Sequence, residues 1–196
     1  ISQYEYPLVS GGTLNGIQLT RIHLEEDTAR SQHSGSDTSV VDFNRSGVPL
    51  MELVTEPVIH DSETAKKFAE ELQRVLRYIG AGDADMEKGQ MRVEANISVS
   101  TTDTMGVKVE VKNLNSFRSV LRAIEYELKR QSEALDAGEV IQQETRGWDE
   151  QKGVTYSQRA KESSHDYRYF PDPDIPKLRL SRIAEFRSEI LEKFVP

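Results

Sequence analysis

Lys108, Glu110 and Lys112 alternate with Val107, Val109 and Val111, and the run ends in Asn113-Leu-Asn-Ser-Phe117. A period of two is that of a half-buried β-strand, so the three charges share one face. A charged strand face that runs into a helix N-terminus suits phosphate and metal chemistry, with cations and backbone N–H groups for the phosphate and carboxylates for the metal. A second strand pattern, Gln90 to Ser100, sends Met91, Val93, Ala95, Ile97 and Val99 one way and Arg92, Glu94, Asn96 and Ser98 the other. The short connection Thr101 to Gly106 predicts an antiparallel hairpin. That hairpin would put Arg92, Glu94, Asn96, Lys108, Glu110 and Lys112 on one surface.

Glu25, Glu26 and Glu52 also fall on predicted strands or at their ends. Strands are poor places for glutamate unless the face is solvated or the charge is paired. For any one of these groups, a solvated face with salt bridges is the plainer reading. Together they offer the oxygen ligands that Mg²⁺ prefers. No HExxH, EF-hand or zinc spacing is present, and neither GxxxxGK[ST] nor GxGxxG occurs, which excludes the standard P-loop and Rossmann sites. The Asn113–Ser116 turn reads either as an anion cradle beside Lys112 or as ordinary helix capping by Asn115 or Ser116. A late segment holds Arg159, Lys161, His165, Asp166, Tyr167 and Arg168. Its arginines suit bidentate phosphate or carboxylate recognition, and its rings suit pinning a loop to a core. Ser163, His165 and Asp166 are too close in sequence for a nucleophilic triad, and no Gly-x-Ser-x-Gly is present. His23 reads as a satisfied strand histidine and His33 as a loop residue.

The elements that must position these groups follow from periodicity. Residues 1–16 read as irregular and turn-rich, Ile17 to Asp27 as a strand, and 28–38 as a polar loop. Ser39 to Asn44 and Leu50 to Glu56 read as strands, and Leu50, Glu52 and Val54 share a face. A helix capped by Asp61 or Ser62 runs to Ile79 and stops at Gly80 and Gly82. A second starts near Ser116, turns Phe117, Val120, Leu121, Ile124, Leu128 and Leu135 inward, and ends at Gly138. Residues 139–180 read as short strands and turns, and Ser181 as the cap of a last helix ending near Val195. The expected fold class is α+β, with a largely antiparallel sheet and flanking helices.

At 196 residues, with 36% apolar and 30% charged side chains, the chain is long enough for a sizeable core. A net charge of −8 argues against gripping nucleic acid by bulk electrostatics. The lack of cysteine removes disulfides, thiolate zinc sites and a cysteine nucleophile, and fits a reducing compartment. No apolar run reaches membrane-spanning length and no signal-peptide pattern is visible. Because it starts at Ile1, the sequence reads as a fragment of a longer chain.

Five stretches carry a resemblance: Arg21-Ile-His-Leu-Glu-Glu-Asp27, Val41-Asp-Phe-Asn-Arg-Ser-Gly-Val-Pro-Leu50, Lys108-Val-Glu-Val-Lys-Asn-Leu-Asn-Ser-Phe117, Gln143-Glu-Thr-Arg146 and His165-Asp-Tyr-Arg-Tyr-Phe-Pro-Asp-Pro-Asp174. In this order they resemble the B subunit of the aspartyl/glutamyl-tRNA amidotransferases, from Ile1 to about Leu180. The resemblance implies a catalytic core over 1–180, with the glutamine synthetase/guanido kinase fold, and the start of a following helical region over 181–196. It implies ATP and Mg²⁺ as cofactors. It implies two protein partners, an amidase (the A subunit) and a small protein (the C subunit). It implies misacylated tRNA(Gln) or tRNA(Asn) as substrate, and no membrane. The setting would be a bacterial cytoplasm or an organelle matrix. The reaction would be phosphorylation of the tRNA-bound Glu or Asp carboxylate, then displacement of phosphate by ammonia from the amidase. Glu26 and Glu52 would hold the metal. Glu94 and Glu110 would bind metal or orient the cations. Lys112, Asn113 and Ser116 would meet phosphate or substrate, and Arg159, Asn115 and Lys108 are further ATP- or substrate-binding candidates. The family's N-terminal segment, with further metal ligands including a histidine, and its C-terminal helical region are not among these residues. The stretch alone is therefore expected to be inactive. The alternatives are a noncatalytic scaffold or tRNA-docking module of the same complex, and a free-standing ATP-dependent carboxylate–amine ligase.

Overall fold

Val9–Ser10 (β1) and Thr13–Leu14 (β2) both pair antiparallel with a long strand, Ile17–Glu26 (β3), placing Val9 opposite Ile22 and Thr13 opposite Gln18 in a computed structural model of the chain. The structure describes residues 2–33, 38–160, 174, 176–177 and 179–184. Asn15 and Gly16 close the β2–β3 hairpin with φ of 48° and 77°. An Asn-Gly pair is the residue choice for a two-residue turn that needs positive φ at both positions. β3 also pairs with Pro49–Thr55 (β6). Between these two strands, Arg30–His33 (β4) and Ser39–Asp42 (β5) form a two-stranded ribbon with Arg30 opposite Asp42. The loop expected over 28–38 thus contains a strand. Arg-Ser-Gln-His has no apolar alternation to announce it, and backbone pairing with β5 decides its state.

The first helix, α1, is Ser62–Tyr78. Asp61 caps it, accepting from the Thr64 N–H and hydroxyl at 2.7 Å each, and these bonds hold its carboxyl below the usual carboxylate range. Gly80, with φ of 72°, ends it. Val93–Ile97 (β7) and Val109–Leu114 (β8) form the expected antiparallel hairpin, with Asn96 opposite Glu110 and Ala95 opposite Val111. β7 is shorter than the pattern from Gln90 to Ser100. Past Ile97 the chain is tied by a buried side chain instead of a ladder: Gln131 Oε1 accepts from Val99 N–H at 3.1 Å. Phe117–Asp136 (α2) follows β8, and Glu144–Asp149 (β9) returns parallel to it, with Glu110 opposite Thr145 and Lys112 opposite Gly147. A helical crossover is what lets consecutive strands run parallel. Val154–Ala160 (β10) completes the order β10-β9-β8-β7. The protein is α+β, with antiparallel pairs throughout this sheet except β8–β9.

The described residues group into two compact units. One contains Ile1–Gly11 and Thr20–Val54; the other contains Gly12–Leu19 and the residues from Thr55 to Ala160. The second unit has a clear core: Met86, Ile97, Val111, Leu114, Val120, Ala123, Ile124 and Trp148. Val109 and Val111 are fully buried, so the opposite face of β8 carries Glu110 and Lys112. In the first unit, His23 is the only residue in the buried class among those described. Leu180–Arg182 is a single 3-10 turn. Ser181 therefore lies inside this turn and does not cap a helix as expected, and Ile183 is already extended; the Lys161–Arg168 segment and residues 185–196 lie outside the described residues. No helix among the described residues is long and apolar enough to cross a membrane.

Candidate functional site

The polar face of the β7–β8–β9 sheet carries the first constellation. Lys112 Nζ lies 3.2 Å from Glu94 Oε1 and 3.7 Å from Glu110 Oε1. Thr145 Oγ1 donates to Glu110 Oε2 at 2.7 Å. One cation therefore sits between two carboxylates, and one of those is anchored by a hydroxyl from the neighbouring strand. Lys112 is 38% exposed and Glu110 15%, so the ammonium can reach an incoming group while Glu110 stays fixed. Asn96 is exposed opposite Glu110. Arg92 and Lys108 are exposed too, but each sits just before its strand begins, outside the ladder.

A bulge shapes this face. From Ala95 to Val93 the partner advances from Val111 to Leu114, so β8 holds one extra residue, around Lys112 and Asn113. Asn113 has φ of 64° and is exposed. Bulges bend a strand and re-aim its side chains, and asparagine is among the few non-glycine residues that tolerate this conformation. Gly147, opposite Lys112, matters for space: a Cβ there would come 2.6 Å from the Tyr156 ring. The absence of a side chain lets the Tyr156 ring lie over the strand at Gly147.

Asn115 is exposed, and Ser116 caps α2, its Oγ accepting from Ser119 N–H at 3.0 Å. Ser119 Oγ donates to Glu150 Oε2 at 2.7 Å, Trp148 Nε1 donates to the same oxygen, and Arg122 Nη1 donates to Oε1 at 3.0 Å. The start of this helix thus already faces an anion from within the chain. The bonds from Trp148 and Ser119 hold Glu150 below the usual carboxylate range. Arg159 is placed by its backbone in β10, opposite Thr145.

Behind the sheet, α2 buries Glu127 completely. Its carboxylate accepts from both ends of the Arg130 fork at 2.9 and 2.8 Å, from Gln131 Nε2 at 3.0 Å and from Thr155 Oγ1, with Arg146 Nε 3.2 Å away. With every oxygen met, this cluster is a structural tie between helix and sheet.

The second constellation lies in the other unit. His23, Glu25 and Glu52 each offer a ligand atom, all within 4.8 Å of one another. His23 Nε2 is 2.6 Å from Glu25 Oε1. Arg21 Nε donates to His23 Nδ1 at 3.4 Å, which leaves the ring proton on Nε2 for Glu25. Arg21 Nη2 is 3.6 Å from Glu52 Oε1, and its guanidinium stacks 4.4 Å from the Tyr4 ring centroid. Two carboxylates, one of them braced by the imidazole, fit a divalent cation, and their oxygens suit Mg²⁺. Glu26, the last residue of β3, is exposed, and strand alternation puts it on the face opposite Glu25. Of the expected metal pair, then, Glu52 joins the cluster, and its companions are Glu25 and His23. A histidine two residues before a glutamate, on the same face of one strand, was the signal in the sequence. Nearby, Asp27 Oδ2 lies 2.8 Å from Arg45 Nε as an ion pair without hydrogen-bond alignment.

Comparison with known proteins adds what geometry lacks. A family profile described as the GatB/GatE catalytic domain matches residues 1–184. Similar curated proteins include the B subunit of the aspartyl/glutamyl-tRNA(Asn/Gln) amidotransferase of Thermodesulfovibrio yellowstonii, 51% identical over all of this chain and 45% of its own length. Those of Caldicellulosiruptor saccharolyticus and Herpetosiphon aurantiacus are 49% and 47% identical, each over 98% of this chain and 43% and 42% of their own lengths. The chain therefore spans less than half the length of these relatives. A family match over residues 1–184 decides the assignment: this chain belongs to the GatB/GatE catalytic-domain family.

Proposed function

We propose that this chain is the catalytic core of the B subunit of a tRNA-dependent amidotransferase. It would phosphorylate the side-chain carboxylate of Glu or Asp misacylated on tRNA(Gln) or tRNA(Asn), using ATP. Ammonia from a partner amidase (the A subunit), in a complex that includes a small protein (the C subunit), would then displace phosphate to give Gln-tRNA or Asn-tRNA. The observation that carries the reading is the 47–51% identity, across nearly the whole chain, to proteins named as that subunit. The sheet would be a variant of the glutamine synthetase/guanido kinase fold, and the setting a bacterial cytoplasm or an organelle matrix.

The residues suit the chemistry. Phosphoryl transfer is mostly positioning and charge neutralisation. Lys112, half-exposed between Glu94 and Glu110, would meet phosphate oxygens, with the Asn113 amide beside it. Mg²⁺ would be held by Glu52 and Glu25, with His23 bracing Glu25 through Nε2, and would supply charge neutralisation for phosphates; Glu26, on the opposite face of β3, stays a metal candidate on the family resemblance alone. His23 and Arg21 hold those carboxylates in place. Ser116 secures the helix start that follows Asn113, and Asn115, Lys108 and Arg159 remain candidate substrate contacts. The test is ATP-dependent phosphorylation of Glu-tRNA by the full complex. Glu26→Ala and Glu52→Ala should each lower it by about 100-fold or more with circular dichroism unchanged, as expected for several kcal/mol of lost charge stabilisation. Unchanged activity in both would remove the metal assignment. Turnover on a small acid without tRNA would favour a free-standing carboxylate–amine ligase, and tRNA binding without turnover a docking module.

A further inference from the structure

We propose that Thr145 is a positioning residue for phosphoryl transfer: its hydroxyl fixes Glu110, and Glu110 fixes Lys112. The inference rests on the function proposed above. β9 runs parallel to β8 with Thr145 directly opposite Glu110, on the same side of the sheet. Thr145 is buried, and its Oγ1 donates to Glu110 Oε2 at 2.7 Å. The other oxygen of that carboxylate faces Lys112 Nζ at 3.7 Å. A threonine hydroxyl has a single proton to donate, and Thr145 directs it at Glu110. The carboxylate rotor is thereby set, and one of the two anions flanking Lys112 is held in place.

The anchor is itself held rigidly. Arg146, the next residue, turns to the helix side of the sheet, where it bonds Thr155 and pairs with fully buried Glu127. Thr145 therefore sits on a strand whose lateral freedom is removed from behind by α2. By contrast Glu94, the other carboxylate beside Lys112, is 46% exposed. Of the two, Glu110 is the one with a buried neutral donor set against it. A long, flexible ammonium gains rate only when held within reach of the transferred group, and small misplacements are costly.

Thr145→Val keeps shape and β-branching and deletes the donor; Thr145→Ser keeps the donor. In the complex that the proposed function calls for, Thr145→Val should lower kcat for ATP-dependent amidation about tenfold, the scale of one lost hydrogen bond to a charged group. KM for ATP should change by less than about threefold, because ground-state binding is not what the anchor supplies. Thr145→Ser should restore kcat to within about twofold, since it keeps the donor. In a Glu110→Gln background the valine should cost little more, because the two act in series. Equal losses in the valine and serine variants, additive losses with Glu110→Gln, or a kcat unchanged in Thr145→Val would each overturn the inference. If Lys112→Ala is inactive while Thr145→Val is unimpaired, the inference fails and the proposed function stands. If the unsubstituted complex shows no ATP-dependent turnover, the proposed function fails and the inference falls with it.

Discussion

Asn113 concentrates the residue-scale problem. It sits at φ 64° in the β8 bulge, next to Lys112, with its side chain exposed. A backbone role and an amide role separate cleanly, because glycine satisfies the backbone but lacks the amide. Asn113→Gly should leave the urea midpoint nearly unchanged. Asn113→Ala should cost about 1 kcal/mol, since alanine pays more for the left-handed region. If the amide meets phosphate, both variants lose turnover about tenfold, the scale of one hydrogen bond to a charged group. Full activity in Asn113→Gly would make it a bulge residue only. The sequence showed Asn113 as part of a turn, and alternation correctly put Glu94, Asn96, Glu110 and Lys112 on one face. It did not show the bulge, because an extra residue becomes visible only once the partner's register is known. For the same reason His23 reads as a plain strand histidine: Glu25 is visible two residues away, but Glu52 arrives from another strand.

At the scale of elements, α2 shows why helix patterning tells only part of the story. Its apolar stripe was legible, and so were both ends, capped by Ser116 and closed by Gly138 at φ 74°. The same stripe buries Glu127 and Gln131, which sit at its helical spacing but whose polarity alone would send them to solvent. Their partners Arg146 and Thr155 come from β9 and β10, distant in sequence, and the parallel return of β9 was equally invisible. Glu127 gives this element a pH signature. Burial pushes its carboxyl up, but the bonds from Arg130, Gln131 and Thr155 outweigh that and leave it lowered. A carboxyl lowered by folding stabilises the fold above its ordinary value of 4.5, and that contribution is lost as pH falls towards the folded value. Glu127→Gln should cost about 3 kcal/mol at neutral pH, since it strands the buried side of Arg146. It should also flatten the loss of stability below about pH 4.5 seen in urea titrations of the parent. An acid limb identical to the parent's would show that Glu127 does not carry this dependence.

The whole molecule divides its labour unevenly. The unit containing α1, α2 and the β7–β10 sheet has the apolar cluster around Val111, Val120 and Trp148. The unit containing Thr20–Val54 places a histidine at its buried position and leaves Val40, Val41 and Phe43 exposed. Stability follows burial of apolar surface, so local opening should be far easier in the second of these. Hydrogen exchange should therefore be slowest at the amides of β8 and α2 and much faster across β4, β5 and residues 20–26 of β3. A cation held by Glu52 and Glu25 binds only the folded arrangement, so it should stabilise that unit by mass action. Adding Mg²⁺ to the chain should slow exchange in residues 20–26 and in β6, with β8 and α2 changing little. Uniform protection of both units, or none at millimolar Mg²⁺, would mean that Glu52 pairs with Arg21 and Glu25 with His23 without serving a metal. A selective effect would place the cation in the unit with the least core of its own, where ordering the ligands and binding the metal are one event.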